Sequence, residues 1–287
     1  MRTYYKKETK THTMIFESVS ESVLYMKDED LEAYNEAYGS WTGRPEVTHI
    51  PLDEFKSKVN AYWQEGHDKV RKMLDSVESA MNIEPPKSRK KKKKWNSESG
   101  GYLDLDRLRS GQDYWLDLPK VKTRAPKIIK VVINLSGLSV VTPDEMMFRA
   151  VAALVFTKLV EQVGYRVELW GVRYATRAKT IGKMLQVVRL KGSSDPLNMG
   201  SLINAVSAWF LRIVLFSTHE QYVRTEVGKK IGLHIGGTID FTDTQLKEFL
   251  PDPENAIKFQ DAYNLDDSLR LIKRSVARLD GLGVGNN

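Results

Sequence analysis

The stretch from Lys127 to Trp170 restricts the fold more than any other part of the chain. Ile128-Ile129-Lys130-Val131-Val132-Ile133 is β-branched and almost continuously apolar, the pattern of a strand covered on both faces. The loop Asn134-Leu135-Ser136-Gly137-Leu138-Ser139 follows it. Thr142-Pro143-Asp144-Glu145 then supplies an N-cap hydroxyl, a proline at the first helical position and an acid at the third. Met146 to Val163 is apolar nearly all round, which predicts a largely buried helix, and Gly164 is its stop. Val167-Glu168-Leu169-Trp170-Gly171-Val172 reads as a second strand. The whole is one βαβ unit, and its loop lies where open α/β sheets bind ligands.

Beyond this unit the α/β pattern continues. Met184 to Leu190 is a third strand, alternating more and so expected nearer an edge. Asp195-Pro196 opens a helix from Leu197 to about Phe210, while Leu211 to Phe216 fits either its extension or a strand. A further strand ends at Thr238-Ile239-Asp240-Phe241, Thr242 or Asp243 caps a short helix to Leu250, and a last helix runs from about Asp266 to Leu279. The expected class is α/β over residues 101–287, a mostly parallel sheet with flanking helices.

Residues 1–86 read as a helical N-terminal region. Met14, Phe16, Val19, Val23 and Leu24 suggest a short helix or an irregular packed segment. Phe55, Val59, Tyr62 and Trp63 follow helical spacing, as do Val70, Met73, Leu74, Val77 and Met81. Gly66 falls between the two sets as a stop or kink, so the pair forms a helical hairpin or one bent helix. Residues 87–100 read as a basic flexible linker. Seven of the eight residues from Lys87 to Lys94 are basic, and like charges this dense repel each other and leave the unbound backbone disordered.

Composition narrows the function classes. With 41% hydrophobic and 28% charged residues in 287, the chain is of ordinary globular type, sized for one large domain or two small ones. No apolar run approaches the roughly 20 residues of a membrane span, and Met1 to Lys7 lacks the apolar core of an export signal. The absence of cysteine excludes disulfides and thiol chemistry and fits a reducing cytoplasm. The net charge of +7 and the pI near 9.3 favour polyanions without fixing the partner.

Three groups of residues are candidates for binding. The first is Lys87, Arg89, Lys90, Lys91, Lys92, Lys93 and Lys94 with Trp95. Dense cations neutralise phosphates and release counterions, and a neighbouring indole can stack on an unpaired base. The same run also fits a solvated linker or a tail that docks an acidic protein. The second group is Arg270, Arg274 and Arg278, with Lys273, at helical spacing on the last helix. They form a basic stripe for phosphates, or an ordinary amphipathic helix whose dipole favours cations near its C-terminus. The third is Asn134, Ser136 and Ser139, a hydroxyl-rich loop for a ligand, an anion or a weakly held metal, or a turn whose hydroxyls satisfy backbone groups. Asp240 and Asp243 are acidic residues at a later strand end. The five histidines show no metal-ligand spacing, and neither a phosphate loop nor a nucleophile elbow is present.

An Ile/Val strand, a Ser-Gly loop, a buried helix and a second strand of type Gly-Tyr-Arg-Val-Glu-Leu resemble the opening of a von Willebrand factor A-type domain. In that family the first loop reads Asp-x-Ser-x-Ser and holds a divalent metal. Here Asn134 stands in place of the Asp, Ser136 fits the middle position, Leu138 takes the third, and Ser139 comes one place late. The resemblance implies the fold, and a role as a protein–protein adaptor using this degenerate loop. The lost carboxylate removes the main charge that holds a hard cation, leaving at most a weak divalent site. A second resemblance rests on Ser40-Trp41-Thr42-Gly43 before an amphipathic helix, then Ser110-Gly111, then the βαβ unit. It is to a group of uncharacterised phage-encoded proteins, and some phages with small two-subunit RNA polymerases carry a single-stranded-DNA-binding accessory protein of comparable size.

The sequence therefore leads to a non-enzymatic, cytoplasmic binding protein without a resident cofactor. The first expectation is a phage-type nucleic-acid-binding accessory factor in transcription or replication, single-stranded DNA favoured, with a polymerase as a possible protein partner. The adaptor is the alternative.

Overall fold

The computed structural model describes residues 1–38, 45–60, 63–81, 94–96, 102–103, 105–112, 115–117, 127–136, 141–162, 164–176, 182–196, 199–228, 237–238, 240–260 and 262–281. The chain opens with strands β1 (Arg2–Lys6) and β2 (Thr11–Phe16), then helices α1 (Val19–Leu24), α2 (Asp28–Tyr38), α3 (Leu52–Asn60) and α4 (Gln64–Met81). Strands β3 (Lys94–Asn96) and β4 (Tyr102–Leu103), helix α5 (Leu105–Arg109) and strand β5 (Trp115–Asp117) follow. Next come β6 (Ile128–Asn134), α6 (Pro143–Gln162), β7 (Arg166–Thr176), β8 (Lys183–Lys191), α7 (Met199–Ala205) and α8 (Phe216–Tyr222). The last elements are β9 (Gly237–Thr238), α9 (Asp243–Leu246), β10 (Ile257–Phe259) and α10 (Leu265–Gly281). Two compact units result: Met1–Ile83 with Ile128–Asn287, and Glu84–Lys127.

The fold is α/β. In the larger unit a sheet runs in the order β1-β2-β8-β7-β6-β10, with β9 added to β7. It is mixed. β6 pairs in parallel with β7 and β10, and β2 in parallel with β8. β1–β2, β7–β8 and β7–β9 are antiparallel. This differs from the mostly parallel sheet that the βαβ pattern suggests, because β7 returns directly into β8 without a crossover helix.

The N-terminus departs most from its helical reading. Thr11–Phe16 is a strand buried at every residue, and it lies alongside β8. That places β8 inside the sheet and not near an edge. The apparent alternation of β8 comes from Gln186, whose side chain is buried and donates from Nε2 to the Leu215 carbonyl and to Thr218 Oγ1, each at 2.9 Å. A polar residue with internal partners mimics a solvent-facing one in sequence.

One face of the sheet carries α4, α6 and α10, which pack on one another. Met146, Met147, Ala150, Val151, Leu154 and Val155 of α6 are all buried, as expected for a helix enclosed on several sides. Its start is a reciprocal capping box: Glu145 N–H donates to Thr142 Oγ1 at 3.2 Å, and Thr142 N–H donates to Glu145 Oε2 at 2.7 Å. The bonds donated to it by the Thr142 N–H and hydroxyl hold the Glu145 carboxyl below the usual carboxylate range. Gly164, at φ 96°, closes the helix in the left-handed region. The opposite face is covered by Phe241, Leu246 and Leu250, packed near Trp170, Val172 and Tyr174.

Gly66 is neither stop nor kink. It lies in the first turn of α4, and a Cβ there would sit 2.1 Å from the Trp63 ring. The glycine admits the indole, and the chain breaks before it, between α3 and α4. Residues 210–227 are helical throughout, which decides the strand-or-helix alternative for 211–216. A π-helical stretch, Phe210–Leu215, precedes α8 and another, Val223–Val227, follows it. No helix of the described residues is long and apolar enough to cross a membrane.

The smaller unit holds a three-stranded antiparallel sheet in the order β3-β5-β4. The end of the basic run is thus paired backbone: Lys94 lies opposite Asp117 and Trp95 opposite Leu116, within the segment read from sequence as flexible linker.

Candidate functional site

The carboxyl end of β6 is built from three side chains. Asn134 and Ser136 are both buried. Asn134 Oδ1 accepts from the Ser136 N–H at 2.8 Å, the geometry of an Asx turn. Asn134 Nδ2 donates to Asp240 Oδ1 at 3.1 Å. The Ser136 hydroxyl accepts from the Tyr174 N–H at 3.1 Å and lies 3.4 Å from the Tyr174 carbonyl, joining the turn to β7. From α6, Arg149 reaches back with its guanidinium to the carbonyls of Asn134 and Ser136, at 3.0 and 2.6 Å. That guanidinium also lies 5.1 Å from the Tyr263 ring centre.

A hard cation prefers charged oxygens. Here Asn134 Oδ1 and Ser136 Oγ each accept from a backbone amide, and among the described residues no group of three or more His, Asp or Glu is placed to hold a metal. Ser139 lies outside the described residues.

One residue earlier on β7 lies a second buried polar array. Arg173 is fully buried. It donates to Gln186 Oε1 across the β7–β8 pair at 2.5 Å, lies 3.3 Å from His219 Nδ1, and has its guanidinium 4.8 Å from the Phe216 ring centre. On the same helical segment Tyr222 sits 3.2 Å from His12 Nδ1, and Tyr5 stacks on His12 with centroids 4.4 Å apart. Burial pushes the Tyr222 phenol up, with Glu226 and Tyr25 adding to it. Sequence reasoning passed over Arg149, Arg173 and His219. Their only signal was a charged or titratable residue inside an otherwise apolar helix or strand, which is rare without a partner.

The basic candidates separate. Arg270, Arg274 and Arg278 lie on α10, all exposed. Arg270 forms an ion pair with Asp267 at 2.5 Å, and Arg278 donates to the Glu254 carbonyl. Arg274 and Arg278 meet Lys258 of β10 around a surface pocket of about 210 Å³. Lys94 and Trp95 belong to β3, whereas Lys87, Arg89, Lys90, Lys91, Lys92 and Lys93 lie outside the described residues.

A family model described as a domain of unknown function (DUF7192) matches residues 4–278, from β1 into α10. The chain belongs to the DUF7192 family. No curated protein and no solved structure matches significantly. The matched range spans both compact units, the Asn134 turn and the basic face of α10 alike.

Proposed function

We propose that this DUF7192 chain is a non-enzymatic, phage-type nucleic-acid-binding accessory factor acting in transcription or replication, with single-stranded DNA favoured. The observation that carries the reading is the run from Lys87 to Lys94, seven of whose eight residues are basic, leading directly into the paired strand that bears Trp95. Lysines at this density hold a phosphate backbone through counterion release. An indole next to them in sequence supplies a stacking partner for an unpaired base. Arg274 and Arg278, with Arg270 one turn earlier, add a basic face on α10. The von Willebrand A-type likeness of the βαβ unit belongs to the same proposal. Its adaptor role is the alternative, with a polymerase as one partner class.

Fluorescence anisotropy with labelled single- and double-stranded DNA at several salt concentrations tests the reading. The intact chain should bind with a steep salt dependence, tighter to the single strand, and deletion of 88–95 should weaken binding and flatten the slope. Because that deletion removes part of β3, a variant with Lys90 to Lys93 all changed to Gln keeps the strand and should flatten the slope as well. No binding at low salt overturns the reading and gives precedence to the adaptor. Its mark would be a protein partner captured after nuclease treatment and lost in Ser136→Tyr.

A further inference from the structure

Helix α10 buries Leu271, Ile272 and Leu279 against the core and turns its arginines outward. A dipole at the helix C-terminus accounts for cations in its last turns. It does not account for what stands opposite them. Lys258 and Gln260, from and just after β10, face Arg274 and Arg278 across the pocket, with Ile257 and Ser275 completing its lining. Two elements of different type therefore converge three cations on one cavity.

The charges there are unevenly spent. Lys258 pairs with Asp243, and Arg278 donates to a neutral carbonyl, that of Glu254. Arg274 has no ion-pair partner among the described residues. Among the described residues, then, one of the three cations is paired with a carboxylate and two are not. Gln260 donates from Nε2 to the Phe241 carbonyl at 3.2 Å, while its Oε1 is buried with no hydrogen-bond partner among the described residues. The occupant must therefore accept from several cations.

We propose that this pocket is a phosphate site. Arg274 and Arg278 hold the non-bridging oxygens, and Lys258 adds charge from β10. Arginine suits this role because its planar fork matches two phosphate oxygens. Arg270, on the same stripe, stands outside the pocket and is engaged with Asp267. The phosphate belongs either to a nucleic-acid backbone, in which case the site rests on the function proposed above and fixes where α10 contributes to it, or to free phosphate or a small phosphate ester.

Three full-length chains test this: wild type, Arg274→Gln and, as a control with the same charge change outside the pocket, Lys72→Gln on α4. Both substituted positions are solvent-exposed, so the fold survives. Each is titrated with a labelled single-stranded oligonucleotide and, separately, with inorganic phosphate while the melting temperature is read. Arg274→Gln should lose about tenfold in oligonucleotide affinity, from one charge-assisted hydrogen bond, against less than about twofold for Lys72→Gln. Inorganic phosphate should raise the melting temperature of wild type and Lys72→Gln but not of Arg274→Gln. Phosphate stabilisation that needs Arg274, without oligonucleotide binding to any chain, supports the pocket with free phosphate as its source and removes the nucleic-acid reading. Equal behaviour of the two variants in both titrations overturns the pocket, and the nucleic-acid reading then stands or falls with the 88–95 segment.

Discussion

Asn134 and Asp240 meet side chain to side chain at 3.1 Å, 106 residues apart in the chain. The amide at 134 is the group that makes this contact attractive, because it donates where a carboxylate could not. Asn134→Asp keeps the acceptor for the Ser136 N–H but sets two carboxylates against each other. The variant should be less stable by about 1 kcal/mol in dilute buffer, with Asp240 exposed and partly screened. Added sodium chloride should recover much of the loss. Urea unfolding at about 0.05 and about 1 M salt measures it, and a loss that ignores salt would show that repulsion is not its cause.

Arg149 closes the same turn from α6. Arg149→Met keeps the length of the side chain and removes the donors to the Asn134 and Ser136 carbonyls. Stability should fall by about 3 kcal/mol, the scale for leaving buried acceptors without a charged partner. Arg149→Lys should recover part of it, since both bonds leave the single nitrogen Nη1 and an ammonium carries donors enough for two carbonyls. The midpoint of a urea transition, at unchanged slope, is the readout.

Asp30 carries the pH dependence. Its carboxyl is pushed up from 3.8 to about 6, chiefly by burial, against the pull of Arg224 and with Glu220 and Glu29 assisting. The side chain is 3% exposed and lies 3.0 Å from the Arg224 guanidinium. A raised acid binds its proton more tightly when folded. Its contribution to stability is complete below about pH 4 and is lost as the pH climbs through about 6. Relative to Asp30→Asn, the wild type should lose about 2 kcal/mol between pH 4 and 7. Melting curves of both across that interval check the sign. A flat difference would count against the raised carboxyl.

Gly66 distinguishes packing from helix punctuation. Alanine in a helix is favoured over glycine by about 1 kcal/mol, so Gly66→Ala would stabilise a mere kink. Here the added methyl meets the buried Trp63 ring. We expect a net loss of about 1–2 kcal/mol, as for an overfilled core, with a shift in tryptophan emission as the ring moves.

The parts of the fold that were readable share a property: their signal is local. The β6 run is apolar because both its faces are covered, and the Thr142 to Glu145 cap satisfies helix N–H groups within four residues. The elements that escaped are those whose signal is distributed. Thr11, His12 and Thr13 are buried in β2, yet a Thr-His-Thr sequence carries no apolar period. β10 is three residues long, too short to show any periodicity. Gln186 and Arg173 look solvent-facing in sequence because their partners come from other elements. The candidate sites divide in the same way. The density of Lys87 to Lys94 is plain in the sequence, whereas the meeting of Arg274 with Lys258 is not.

By itself, then, the sequence determined the central βαβ unit, the buried α6 with its cap and glycine stop, the basic excess and the absence of thiol chemistry. All of these follow from the composition and spacing of neighbouring residues. Tertiary structure alone decided that the sheet is mixed, that β8 is internal, that Asn134 meets Asp240, and that β10 and α10 bring three cations to one pocket. Each of these is a pairing across many residues of chain. Its energy lies in hydrogen bonds, burial and charge between groups that only the folded backbone brings within reach.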